Sequence, residues 1–245
     1  MTARELTRVV ARGALGGVVL LTAETLWAVL QPAPRFPDHD ASGVEGPPDG
    51  VPLRLVVVGD STTTGPGVDH PDEIWIRQLA RRLDGYRVEV RSFAVSGAKL
   101  EDVIRDQLDA AIEAAGDITF VSAGANDALR GTPLTRVEEN LDTILTRLQP
   151  ASRHVVVCGV GDLGTIPRFL PPLDLIMRAR GKAVDEVAER VARAHGAVKI
   201  DMWGLTTHAF RTDPEVFSPD RFHPSAKGHR VWADAAFVTV APLLQ

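Results

Sequence analysis

The chain has 245 residues, 44% hydrophobic and 24% charged, which suits one substantial globular core with appendages and excludes a disordered chain. A formal net charge of -5, a pI near 5.8 and the lack of a basic stripe exclude the electrostatic footprint of a nucleic-acid binder. The single cysteine, Cys158, excludes an internal disulfide and a cysteine-cluster metal site; within Val155-Val156-Val157-Cys158 it reads as a buried core thiol.

The N-terminus differs in kind from the rest. Arg4, Arg8 and Arg12 precede an apolar stretch at 13–23 that continues past Glu24 to Leu30. Residues 1–30 therefore read as a signal anchor or signal peptide. The carboxylate of Glu24 costs roughly 2.5 to 3.5 kcal/mol inside a bilayer, and no clear small-x-small cleavage site precedes Gln31. An uncleaved anchor is favoured, and a helix lying on the domain or the membrane surface is the alternative. With the arginines cytoplasmic, the rest of the protein faces outward, in the cell envelope or secreted. Residues 31–52, rich in Pro, Gly and Asp, read as an extended linker, which starts the folded domain near Leu53 and runs it to residue 245.

From there, strand-length apolar runs at 53–58, 87–93, 118–122, 154–159 and 197–201 alternate with helical patterns at 74–83, 100–115, 136–148, 173–195 and 227–240. That alternation predicts an α/β fold: a three-layer α/β/α sandwich around a parallel five-stranded sheet of flavodoxin-like order 2-1-3-4-5. Two long connections, 161–172 and 203–219, mix Pro and Gly with apolar residues and belong to the C-terminal edge of the sheet.

Three segments reach that same edge. Ser61, in Gly59-Asp60-Ser61-Thr62, follows the first strand; Asn126, in Gly124-Ala125-Asn126-Asp127, follows the third; and Asp220-Arg221-Phe222-His223-Pro224 lies between the last strand and the last helix. A serine hydroxyl is a weak nucleophile near neutral pH, so it needs a base within reach and that base needs an orienting partner. His223 and Asp220 have those chemistries and a spacing that lets a turn bring them together. Asn126 supplies an amide suited to a developing oxyanion, and Gly97, after the second strand, lets a backbone N–H approach a ligand. Each segment has a plain structural reading as a cap or turn, and their joint placement is the stronger signal. A phosphate-binding loop is disfavoured because no Lys follows the glycines. A two-metal phosphoesterase would be short of imidazole ligands, so no metal is expected.

These four blocks, Ser61, Gly97, Asn126 and Asp220-x-x-His223, resemble those of the SGNH hydrolase superfamily, the GDSL-type esterases and lipases. Thr62 departs from the Leu of the namesake motif. The resemblance implies Ser61 as nucleophile, His223 as base, Asp220 as orienting acid, and the N–H groups of Ser61 and Gly97 with the Asn126 amide as oxyanion donors. It further implies a serine esterase acting on a carboxylic ester or thioester with no cofactor. Acyl transfer or deacetylation on a cell-envelope glycan or lipid is an alternative, and a non-catalytic glycan- or lipid-binding module is an alternative of another class. The substrate is expected to be a small ester, lipid or acylated glycan, with His70, Ile166, Phe169 and Leu170 as candidate contacts and Leu173, Trp203 and Phe210 as further apolar ones.

Overall fold

The computed structural model describes residues 22, 24–27, 30–32, 34 and 36–245. Most of the expected anchor at 1–30 lies outside the described residues, among which no helix is long and apolar enough to cross a membrane.

The sheet has six strands: β1 (Gly43–Glu45), β2 (Val51–Gly59), β3 (Tyr86–Ser92), β4 (Ile118–Ser122), β5 (His154–Cys158) and β6 (Val198–Ile200), in the order β1-β3-β2-β4-β5-β6. The pairs from β3 to β6 are parallel and reproduce the expected 2-1-3-4-5 order. The difference is β1, which adds an antiparallel edge against β3. It arises from the segment read as linker. Ala41 is fully buried, and Arg77 binds both the Ser42 carbonyl and the Glu45 carboxylate, so these residues hold to the sheet despite having no apolar periodicity.

The period-two alternation of β2 divides the core. Leu55 and Val57 face a layer built from α2 (Trp75–Ala80) and, later in the chain, α9 (Ala226–Val240). Val56 and Val58 face the other layer, made of α3 (Leu100–Asp106), α4 (Leu108–Ala114), α6 (Leu134–Leu148) and α7 (Leu173–Ala194). Between β4 and α6 sits the short α5 (Ala125–Leu129). Both sheet faces are covered, as a parallel sheet requires.

Two elements depart from the sequence reading. The helix expected over 100–115 breaks at Gln107, whose side chain turns inward to β2. The connection expected over 203–219 contains α8 (Met202–Thr212): Asp201 caps it by accepting from Gly204 N–H, and Met202, Thr206 and Phe210 bury one stripe at i, i+4, i+8. Gly204 in its first turn hid that pattern.

Candidate active site

Ser61 sits where β2 ends. Gly59 runs so close to β4 that a Cβ there would lie 2.3 Å from the Ser122 carbonyl oxygen, which explains the glycine. Asp60 then caps a single helical turn, α1 (Ser61–Thr64), by accepting from Thr62 N–H at 2.9 Å, and Gly65 ends it. Ser61 thus occupies the first helical position, where the backbone N–H has no intrahelical acceptor. Among the described residues the Ser61 hydroxyl makes no hydrogen bond.

A residue that the sequence did not single out holds this turn. The Gln107 amide grips Gly59 with both ends: Oε1 accepts from Gly59 N–H at 2.8 Å, and Nε2 donates to the Gly59 carbonyl at 2.9 Å. Losing this acceptor would leave a buried N–H unsatisfied, at a cost of about 1–3 kcal/mol. The only available signal was a polar residue at the seam of an otherwise helical pattern.

The Asp220–His223 pair forms within one tight turn. Arg221 adopts a left-handed conformation (φ 60°), which lets Asp220 Oδ1 accept from the N–H groups of Phe222 and His223 and from the Ser218 hydroxyl. Oδ2 is left for His223 Nδ1, at 2.6 Å. Burial alone would raise the Asp220 carboxyl, but donation from His223, Ser218 and the backbone outweighs it and holds the group at about 2.

Asn126 lies in the first turn of α5, and its Nδ2 donates to Asp60 Oδ2 and to the Ala98 carbonyl, both at 3.2 Å. These bonds tie together the loops after β2, β3 and β4. Gly97 sits in the middle loop with φ 77°, which favours glycine, and the Arg130 guanidinium lies 3.3 Å from where its Cβ would be. The buried Oδ2 of Asp127 accepts from Leu100 N–H, fastening α5, which carries Asn126, to the start of α3.

Ser61, Asn126 and His223 open onto one cavity of about 130 Å³. Its walls are mostly apolar, including Trp75, Leu163, Ile166, Phe210 and Trp232. Of the candidate substrate contacts, Ile166 and Phe210 line it. His70, Phe169, Leu170, Leu173 and Trp203 lie outside it. His70 starts a short 3-10 turn, where its N–H is held by Glu73, and Phe169 packs edge-on against Phe222 at 6.0 Å. Cys158 also lines the cavity, its thiol pushed up to about 12 by burial, which leaves it unreactive at neutral pH. His229 is fully buried and held down at about 3 by that burial and by nearby His223; its Nδ1 accepts from Trp75 N–H, joining α9 to α2.

Burial raises the Asp60 carboxyl to about 6, against donation from Thr62 and Asn126. The unfolded state therefore ionises first as pH rises. Asp60 favours folding least above its folded value, and stability from this group should fall between about pH 4 and pH 6 by on the order of 3 kcal/mol. Urea denaturation of wild type and Asp60→Asn at pH 4 and pH 7 checks this. The stability difference, wild type minus variant, should drop over that interval, and a constant difference would count against it.

Residues 57–231 match the model of the GDSL-like lipase/acylhydrolase family. The chain belongs to this family. It is 30% identical over 198 residues to the GDSL-like esterase Rv1075c of Mycobacterium tuberculosis, covering 78% of this chain and 63% of that protein. It is 26% identical over 115 residues to esterase TesA of Pseudomonas aeruginosa, covering 43% of this chain and 53% of that protein. The chain thus spans less than two thirds of the length of either relative. Among solved structures, TesA superposes with a TM-score of 0.65 at 23% identity, covering 78% of this chain and 99% of that one. A catalytic mutant of Axe2, an acetylxylan esterase from Geobacillus stearothermophilus, superposes with a TM-score of 0.62 at 18% identity, covering 78% and 95%. Both share the fold of this GDSL-family chain.

Proposed function

We propose that this GDSL-family protein is a serine esterase that cleaves a carboxylic ester or thioester through an acyl-enzyme on Ser61. The observation that carries this reading is the convergence of Ser61, Asn126 and the Asp220–His223 pair on one apolar cavity. His223 Nδ1 is committed to Asp220, so Nε2 is the ring nitrogen free to take the Ser61 proton. Alignment of hydroxyl and imidazole completes when substrate enters, as is common where a catalytic hydrogen bond is loose in the free enzyme.

In the first step Ser61 Oγ attacks the ester carbonyl while its proton passes to His223 Nε2. The oxyanion collects donors from Ser61 N–H, Gly97 N–H and the Asn126 amide, which exchanges its bond to the Ala98 carbonyl for the substrate oxygen. Collapse of the intermediate returns the proton from His223 to the leaving alcohol or thiol. Water, activated by the same imidazole, then frees the acid and restores Ser61. An acylated glycan or lipid in place of a simple ester, or an alcohol in place of water, fits the same cycle and gives the deacetylase and acyltransferase variants. A screen of aryl esters of increasing chain length, acyl thioesters and acetylated sugars separates them, and failure on every ester and thioester would sink the esterase reading. The N-terminal segment would tether the enzyme to the membrane with its domain outside.

Asn126→Ala should lower kcat by about 10² to 10³ with the fold retained, as for removal of one oxyanion donor. Steady-state kinetics decides: a change confined to KM would mean that the amide serves ground-state binding instead.

A further inference from the structure

Eleven large apolar side chains are exposed among the described residues, and six of them, Leu26, Trp27, Leu30, Leu170, Leu175 and Ile176, lie on two segments that touch each other. Glu24 Oε2 accepts from Leu173 N–H at 3.2 Å in a buried contact, and Arg168 donates to the Gln31 carbonyl at 2.7 Å. Glu24 and Gln31 are thereby fastened beside the start of α7 and the loop before it. Scattered exposed apolar residues are ordinary, but a concentration of this kind marks an interaction surface.

This surface adjoins the catalytic turn. Phe169, next to Leu170, packs edge-on against Phe222, whose ring lies 4.9 Å from that of His223, and Arg221 donates to the Pro167 carbonyl at 2.9 Å. Arg168 and Arg221 flank the apolar residues, and neither has a carboxylate partner among the described residues. Exposed Leu, Ile and Trp side chains edged by guanidinium groups without carboxylate partners suit the boundary of a bilayer bearing anionic headgroups.

The sequence agrees with this occupant. The apolar run at 13–23, preceded by Arg4, Arg8 and Arg12, leads directly into the fastened segment. Glu24, costly in mid-membrane, is instead buried against the protein, where it accepts a backbone N–H at the start of α7.

We propose that this face lies on the lipid bilayer and holds the catalytic turn at its surface, so that the ester is drawn from lipids resident in that membrane. The substrate class rests on the esterase reading above; the docking surface does not.

The test uses the full chain reconstituted in phosphatidylcholine–phosphatidylglycerol vesicles, with an environment-sensitive fluorophore on Leu175→Cys or, as a control, on Val238→Cys. The control position is exposed on α9, which packs on the opposite face of the sheet from α7. Buried Cys158 should not compete for label. Spin-labelled lipid should quench the fluorophore at 175 strongly and that at 238 little. Equal quenching at both positions, no quenching at 175, or burial of the label against a second copy of the chain without quenching overturns the surface. In parallel, the double variant Leu175→Glu/Ile176→Glu should turn over a vesicle-borne lipid ester about tenfold more slowly while keeping its rate on a soluble aryl ester within about twofold. An unchanged lipid-ester rate overturns the substrate claim. If wild type turns over neither ester, the esterase reading fails and the quenching pattern still decides the surface.

Discussion

Ser61→Ala should reduce turnover of a short-chain aryl ester by on the order of 10⁵ or more and abolish labelling by a fluorophosphonate probe. No other described hydroxyl at the cavity combines the head of a helical turn with a free N–H beside it. Thr62 Oγ1, the nearest alternative in sequence, is engaged with Ser122. Removal of the nucleophile from a serine–histidine–acid system costs nearly all its chemical acceleration, since the remaining members act only through it. The Ser61 hydroxyl makes no hydrogen bond to a described residue, so the variant should melt within a few degrees of wild type. Steady-state kinetics and a thermal melt on the same preparation check both halves. Retained turnover in a folded variant would remove Ser61 from the chemistry.

Asp220→Asn should lower kcat by about 10³ to 10⁴ with little change in KM. The substitution keeps an oxygen for the Ser218 hydroxyl and the N–H groups of Phe222 and His223, so the turn can close as before. It replaces the acceptor at Oδ2 with an amide that donates. His223 must then carry its proton on Nε2, facing Ser61, and cannot take another in its neutral form. The tautomer can be read independently from the ¹⁵N chemical shifts of the His223 ring. A variant with the Nε2-protonated ring and undiminished kcat would mean that His223 is not the base.

Much of this arrangement was legible in the sequence, because each part followed from a local rule. The apolar run that becomes β2 is set by burial on both faces: Leu55 and Val57 point one way, Val56 and Val58 the other. Residues that follow such strands in a parallel sheet emerge at one edge, which is why Ser61, Gly97 and Asn126 could be grouped from their positions in the chain. The Asp220–His223 spacing likewise allowed the turn that the structure shows.

What escaped was decided by contacts distant in sequence. Nothing near Gln107 announces that its amide will clamp Gly59, 48 positions away. The edge strand β1 depends on Arg77 binding Ser42 and Glu45 rather than on apolar periodicity, so a stretch rich in Pro, Gly and Asp read as linker. The cavity wall was the hardest part to read. Ile166 and Phe210 point into it, while Phe169 and Leu170, neighbours of equal hydrophobicity, face Phe222 and solvent instead, a distinction set by loop geometry that no propensity encodes. The second role of Asp60 was similarly unforeseen: while Oδ1 caps its own turn, Oδ2 accepts from Asn126, joining two of the sequence blocks through a single buried carboxylate.

The most direct test is intact-mass and peptide-level mass spectrometry of the full chain after brief exposure to an aryl ester whose acyl group is released slowly. One acyl group should add per chain, on the peptide containing Ser61, and should be absent from Ser61→Ala. Turnover of that ester without an adduct, or with the acyl group on another residue, would contradict an acyl-enzyme at Ser61.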